Sequence, residues 1–310
     1  MIVVLSGGNG GGRFCRGLLG AVPSDQVTII GNTGDDIEIY GVRVCPDLDL
    51  ITFMLAGILD QERGYGIKGD PRLAMEELSA LGTDTWFDLG DRDLALCLAR
   101  TRMLRRGDPL HRVTARIAER YEIGARLMPM TDSFCWTAID TDAGTMHFQE
   151  YWVRYRAEVP VHGVGWVGLD QARPAPGIAE VIASADAIVL APSNPVVSIG
   201  PILAVPEMRE LLASAKAPKV AVSPIVGGAV LRGMADRLMP AVGIEVSAFG
   251  IGKHYADLID AVVIDQRDAE ARTKLERLGL TVSVTDTIMR DDPAATALAR
   301  SVLETAEAVP

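Results

Sequence analysis

The stretch 1-MIVVLSGGNGGGRFCRG-17 decides the fold: an apolar run, Ile2 to Leu5, breaks into five glycines between Gly7 and Gly12. The first part reads as a buried strand and the glycines as the turn into a helix around RFCRGLLGAV, residues 13–22. A turn this bare lets backbone amides approach phosphate oxygens, and a helix N-terminus adds partial positive charge. The dinucleotide fingerprint GxGxxG fails, because its third glycine falls on Arg13 or on Cys15. The P-loop pattern is a nearer miss: Gly7 and Gly12 are correctly spaced, but Arg13-Phe14 replaces the lysine and the metal-binding hydroxyl. The remaining alternative is a tight strand-to-helix turn with no ligand.

Outward from this unit the rhythm continues. VTIIGN (27–32) reads as the second strand, and DAIVLAP (186–192), PEMRELLASA (206–215), KVAVSP (219–224), VLRGMADRLMP (230–240) and AVVIDQ (261–266) alternate strand and helix patterns. That alternation predicts a Rossmann-like α/β fold, a mostly parallel sheet flanked by helices. Between Asp47 and Tyr121 helical patterns follow one another without strands, as in RLAMEELSALG and DRDLALCLARTRMLRRG. CWTAID and TMHFQEYWV then flank DTDAG, a hairpin turn by composition. The expectation is a single domain, with an α/β core at about 1–46 and 160–310 and a helical and β-hairpin insertion at about 47–159.

The 310 residues are 48% hydrophobic, enough for a large core, and carry a net charge of −11, which argues against nucleic-acid binding. No apolar window approaches the roughly 20 residues of a membrane span, and no basic leader precedes the first strand, so a cytoplasmic protein is expected. Cys15, Cys45, Cys97 and Cys135 are scattered, without metal-ligand spacing, and read as reduced, packed thiols.

A second loop supports a ligand over a plain turn. APSNPVVSIGP (191–201) follows a strand and offers Ser193, Asn194 and Ser198. Two such loops at two strand ends suggest a diphosphate or nucleotide spanning the crevice of an open α/β sheet. GNTGDD brings Asp35 and Asp36 to a third strand end, and PDLD adds Asp47 and Asp49. Carboxylates beside phosphate make chemical sense around a magnesium ion, with Asp35 and Asp49 the preferred ligands; turn chemistry and helix capping are the alternative, favoured for Asp36 and Asp47. In LGDRD the acids Asp91 and Asp93 suit a helix start, and Arg92 is placed to reach a phosphate or to form a solvated ion pair. The aromatics of HFQEYWVRYR suit stacking on a flat heterocycle or packing in a half-buried strand, the latter favoured, with His147 a structural residue or a base.

Taken together, SGGNGGGRF, NTGDD, VCPDLDL, ERGYGI, WFDLGDRDLA, GARLMPMTD, MHFQEYWVRYR, LAPSNPVVSIGPIL, SPIVGGAVLRGMAD and the MRDDPAATALA region resemble, in order, the 2-phospho-L-lactate transferase family of coenzyme F420 biosynthesis. The resemblance implies a magnesium-dependent enzyme, expected as a homodimer. It would join a phospho-acyl group (2-phospholactate, phosphoenolpyruvate or a related three-carbon acid), carried as a guanosine diphosphate conjugate, to the deazaflavin Fo with release of GMP. It also places the donor along Gly8, Asn9, Gly10, Arg13, Ser193, Asn194 and Ser198, with Ser223 near the base or ribose. The deazaflavin and metal region falls on Asp35 and Asp49, with Asp88, Arg92 and His147 as neighbouring candidates. Glu38 and Cys97 stand where relatives often carry an aromatic residue and a histidine. The rival is a non-catalytic nucleotide-sugar-binding regulator similar to the gluconeogenesis factors.

Overall fold

The computed structural model describes residues 1–309. Seven parallel strands form the main sheet: β1 (Ile2–Ser6), β2 (Val27–Gly31), β5 (Arg126–Pro129), β9 (Ala187–Leu190), β10 (Lys219–Val222), β13 (Ala261–Asp265) and β14 (Thr281–Thr285). Their order is β14-β13-β10-β9-β1-β2-β5. The chain moves outward from β1 through β2 to β5, then returns to the other side of β1 for β9 and the rest. The reversal therefore lies between β1 and β9, whose Leu5 and Leu190 pair in register. In an open α/β sheet that is where a crevice opens beyond the strand ends.

Three small antiparallel sheets complete the inventory: β3 (Ile37–Ile39) with β4 (Val42–Val44), β6 (Trp136–Thr141) with β7 (Gly144–His147) and β8 (Val161–Val167), and β11 (Ile225–Val226) with β12 (Ala229–Val230). The helices are α1 (Gly8–Leu19), α2 (Pro46–Leu55), α3 (Leu73–Ala80), α4 (Asp91–Arg105), α5 (Leu110–Arg120), α6 (Ile178–Ala183), α7 (Ile199–Ala204), α8 (Met208–Ser214), α9 (Ala235–Leu238), α10 (Ala248–Tyr255), α11 (Arg272–Glu276) and α12 (Asp292–Glu307). None is long and apolar enough to cross a membrane.

Strand periodicity sends alternate residues to opposite faces. Ile2, Val4, Val27 and Ile29 pack with Phe14, Leu18, Ile51, Leu298 and Val302 from α1, α2 and α12. Val3, Leu5, Ile30 and Ile188 pack on the other side with Ile178, Ile202, Met208, Leu238 and Ile251 from α6 to α10. The expected Rossmann-like class holds.

Three local expectations change. The first helix begins at Gly8, five residues before RFCRG, so the glycines form its opening turn rather than a loop. The stretch 47–159 is not all peripheral: β5 pairs with β2 in the main sheet, and α2 covers the core. HFQEYWVRYR is not a strand: β7 ends at His147 and Glu150–Arg154 winds into a π-helical turn, which buries Tyr151 while Trp152 and Tyr155 stay exposed.

Candidate active site

The crevice floor is backbone against backbone. Glycine costs a helix about 1 kcal/mol per residue relative to alanine, so a glycine-rich first turn needs a reason. Close packing supplies it. A Cβ on Gly10 would strike the carbonyl of Pro192, and one on Gly11 would strike the hydroxyls of Ser6 and Ser193. Gly8 alone of this set needs a left-handed backbone, at φ +63°. The second loop is tied to the first: Ser193 Oγ donates to the carbonyl of Gly7 at 2.8 Å and accepts from its amide at 3.3 Å. Asn194 Oδ1 accepts from the amides of Val196 and Val197, at 2.9 and 3.3 Å, and so shapes its own turn. The structure therefore brings Gly8, Asn9, Gly10, Ser193, Asn194 and Ser198 together at the ends of β1 and β9. Several of their polar groups are occupied in holding the two ends to each other.

The amide of Gly8 is likewise engaged, donating to Asp47 Oδ1 at 2.8 Å. Asp47 lies in the first turn of α2, yet it caps α1, with its carboxylate seated at an N-terminus that favours anions. Asn32, fully buried at the end of β2, ties this acid to the next. Its Nδ2 donates to Asp47 Oδ2 at 2.8 Å, to Asp35 Oδ1 at 3.1 Å and to the carbonyl of Val197 at 3.0 Å. Asp35 and Asp47 thus share one amide, and neither forms an ion pair with an arginine or lysine among the described residues. Burial pushes the Asp35 carboxyl well above its usual range, with Asp47 the next cause, and burial pushes Asp47 up to about 6.

Asp36 and Asp49 are neutralised. Arg43, from β4, donates to Asp36 Oδ2 through Nε at 3.1 Å and Nη2 at 3.0 Å, and its guanidinium lies 3.8 Å from the ring centroid of Phe134. Arg100, on α4, is buried and grips Asp49 with two nitrogens, Nη1 at 2.9 Å and Nη2 in an even closer contact. The two expected magnesium ligands thus have different partners: Asp35 shares the Asn32 amide with Asp47, while Asp49 faces Arg100. Asp49 also neighbours Asp93 and Cys97, with ligand atoms all within 4.8 Å of one another. Asp93 keeps one buried oxygen without a partner, and burial, reinforced by Asp49, pushes it up to about 7.

The remaining expected residues divide. Ser223, at the end of β10, closes a turn by donating to the carbonyl of Ile225 and accepting from its amide, both at 3.1 Å. Arg13 turns away from the crevice floor and donates to the carbonyl of Met289 at 3.1 Å. Asp88 accepts from Arg72 Nε at 2.5 Å and Arg63 Nη1 at 3.4 Å. Arg92 is exposed and forms no ion pair among the described residues, leaving its guanidinium available. His147 is committed: Nδ1 accepts from the Gln149 amide at 2.9 Å and Nε2 faces the Asp36 carbonyl at 3.0 Å. That tautomer carries its proton on Nε2, and burial lowers the pKa, so the ring is a neutral strut and no free base.

Asn32, Arg43, Arg100 and the cap by Asp47 are the residues sequence reasoning missed. Their only sequence signals were position close before or between the expected acids, for Asn32 and Arg43, and an arginine that ends the small and apolar run LALCLA, for Arg100.

Residues 2–303 match the family model described as 2-phospho-L-lactate transferase CofD. A phosphoenolpyruvate transferase of Streptomyces griseus is 48% identical over 314 residues, covering 99% of each chain. One from Streptomyces coelicolor is 47% identical and covers 99% of this chain and 98% of its own. One from Mycolicibacterium smegmatis is 42% identical, covering 98% of each. Among solved structures, a UPF0052-family protein of Bacillus halodurans superposes with a TM-score of 0.66 over 97% of this chain and 98% of its own, at 16% identity. That likeness speaks for the fold.

Proposed function

Because the chain belongs to the 2-phospho-L-lactate transferase family, we propose that it transfers a phosphoenolpyruvyl group from a guanosine diphosphate conjugate to Fo, giving an F420-0-type product. The observation that carries the choice of acid is near-full-length identity of 47–48% with two phosphoenolpyruvate transferases. In this reaction the terminal ribityl hydroxyl of Fo attacks the phosphorus distal to guanosine. The bond from that phosphorus to the bridging oxygen breaks, GMP leaves with the bridging oxygen, and the hydroxyl proton passes to solvent.

Such chemistry depends on positioning and charge neutralisation more than on a covalent nucleophile. The opening turn of α1 and the 191–198 loop would hold the diphosphate, and Arg92, exposed and without an ion pair among the described residues, is a candidate cation for it. A magnesium ion fits the acids after β2. Asp35 and Asp47 offer hard oxygen ligands that share a single amide and have no cation of their own, an arrangement that a divalent ion completes. When bound, magnesium would offset the charge of the diphosphate; Asp49, already matched by Arg100, is a weaker candidate for the same role.

Incubation with Fo, magnesium and either the phosphoenolpyruvate or the 2-phospholactate conjugate tests the proposal. GMP should appear in step with Fo loss, faster with the former. Equal or greater turnover with the latter would reverse the assignment of the acid, and no product with either would defeat the transferase reading. Stabilisation by UDP-sugars but not by Fo would instead point to a nucleotide-sugar-binding regulator. A homodimer belongs to the same proposal, read out as twice the 33.1 kDa chain mass in light scattering.

A further inference from the structure

Two segments outside the crevice floor meet at Gly64, beside the opening turn of α1. One is the loop closed by the Leu59–Ile67 bridge, which spans most of ERGYGI. Asn9 Nδ2 holds it by donating to the carbonyl of Gly64 at 2.8 Å. The other is the β11–β12 hairpin and the residues after it. Its two-residue turn, Gly227-Gly228, has positive φ at both positions, and its amides donate to Asp268 at 2.8 and 3.2 Å. Asp268 thus anchors the turn, while Leu231 and Arg232 beyond it are exposed and Gly233 again takes a positive φ.

Arg232 reaches from this second segment to the first. A Cβ placed on Gly64 would lie 3.3 Å from Arg232 Nη1 and 3.4 Å from Asn9 Nδ2, so the guanidinium and the Asn9 carboxamide both border Gly64. Arg232 has neither an ion pair nor a side-chain hydrogen bond among the described residues, although 41 acidic residues are present in the chain. Two donors border Gly64, the guanidinium and the Asn9 carboxamide N–H, next to the N-terminus of α1, whose Gly8 amide is already taken by Asp47. Their complement is an anion with several acceptor oxygens, and a guanidinium meets phosphate through paired, charge-assisted bonds.

We infer that Arg232 binds the donor's diphosphate, clamping it against the Gly8-Asn9-Gly10 turn. This inference rests on the guanosine diphosphate donor proposed above. It gives ERGYGI and VLRG a shared purpose, since Gly64, lacking a side chain, leaves the guanidinium its path to the phosphates.

Calorimetric titration with GDP and magnesium, on the full-length wild type and on Arg232→Ala and Arg232→Lys, tests it. GDP should bind the wild type, the alanine variant at least about tenfold more weakly, and the lysine variant in between. Fo affinity and Tm should not move, since the side chain is exposed. Hydrogen exchange in residues 227–233 should slow on adding GDP to the wild type and not to the alanine variant. Equal GDP affinity in wild type and Arg232→Ala overturns the clamp and leaves the transferase reading standing. A wild type that binds no GDP removes the donor site itself.

Discussion

The two sides of the crevice are built on different principles. Where β1 meets β9, geometry is fixed by absent side chains: Gly10 sits on the Pro192 carbonyl, Gly11 between two serine hydroxyls, and Ser193 bonds the Gly7 backbone twice. Beyond β2 it is fixed by charge: Arg43 and Arg100 neutralise Asp36 and Asp49, while Asp35 and Asp47 face each other without a cation. The first side should therefore answer to volume and be indifferent to pH and metal, and the second should do the reverse.

The largest test of that contrast is Arg100→Met, which strands the buried Asp49 carboxylate and should cost about 3–5 kcal/mol of stability in denaturant unfolding. Asp49→Asn should lose stability as well, because it leaves a buried guanidinium unmatched. A loss under about 1 kcal/mol for both would mean that the pair is not sequestered. Next, Asp35→Asn should reduce turnover with magnesium by about two orders of magnitude, about 2.7 kcal/mol in the barrier, while leaving metal-free stability equal or higher. On the glycine side, Gly10→Ala should cost about 1–3 kcal/mol through overpacking at every pH. Gly8→Ala, where a Cβ would meet only Ser198 Oγ at 3.6 Å, should cost about 1–2 kcal/mol through its left-handed backbone alone.

The smallest effect expected is on pH dependence. Asp47 and Asp93 hold their protons to about 6 and about 7 in the fold, and release them near their ordinary values when the chain unfolds. The folded state therefore binds more protons than the unfolded one between those limits, and stability falls as pH rises through them. Without divalent ions Tm should be lower at about pH 7.5 than at about pH 5 by about a few degrees. Asp35→Asn should flatten that slope and Gly10→Ala should not, as thermal unfolding of the three proteins at both pH values would reveal.

The same division explains what the sequence made legible. Strands buried on both faces announce themselves as apolar runs, as in Ile2–Leu5, Ala187–Leu190 and Ala261–Ile264. TVSVT, an edge strand with one buried residue among its five, and the mostly exposed β8 carry no such mark. That the two loops at the strand ends would meet was readable, because glycine- and serine-rich composition after a strand follows from backbone chemistry. Which acid of PDLD faces which partner was not: Asp47 and Asp49 sit two residues apart in the first turn of α2, about 200° apart around the helix, and therefore point to different neighbours. One neighbour, Gly8, lies 39 residues earlier, and the other, Arg100, lies 51 residues later. No local pattern records contacts of that range.

That separation between Asp49 and Arg100 also bears on how the molecule folds. The β1-α1-β2 unit can form from neighbours in the chain, but the acidic side is complete only after the segment from α2 to α4 has looped back and docked. Until then α2 carries a carboxylate whose counter-charge has not arrived. Completion of the acidic side should therefore lag behind formation of the central strands during refolding, and α4 should be the element whose arrival sets the delay.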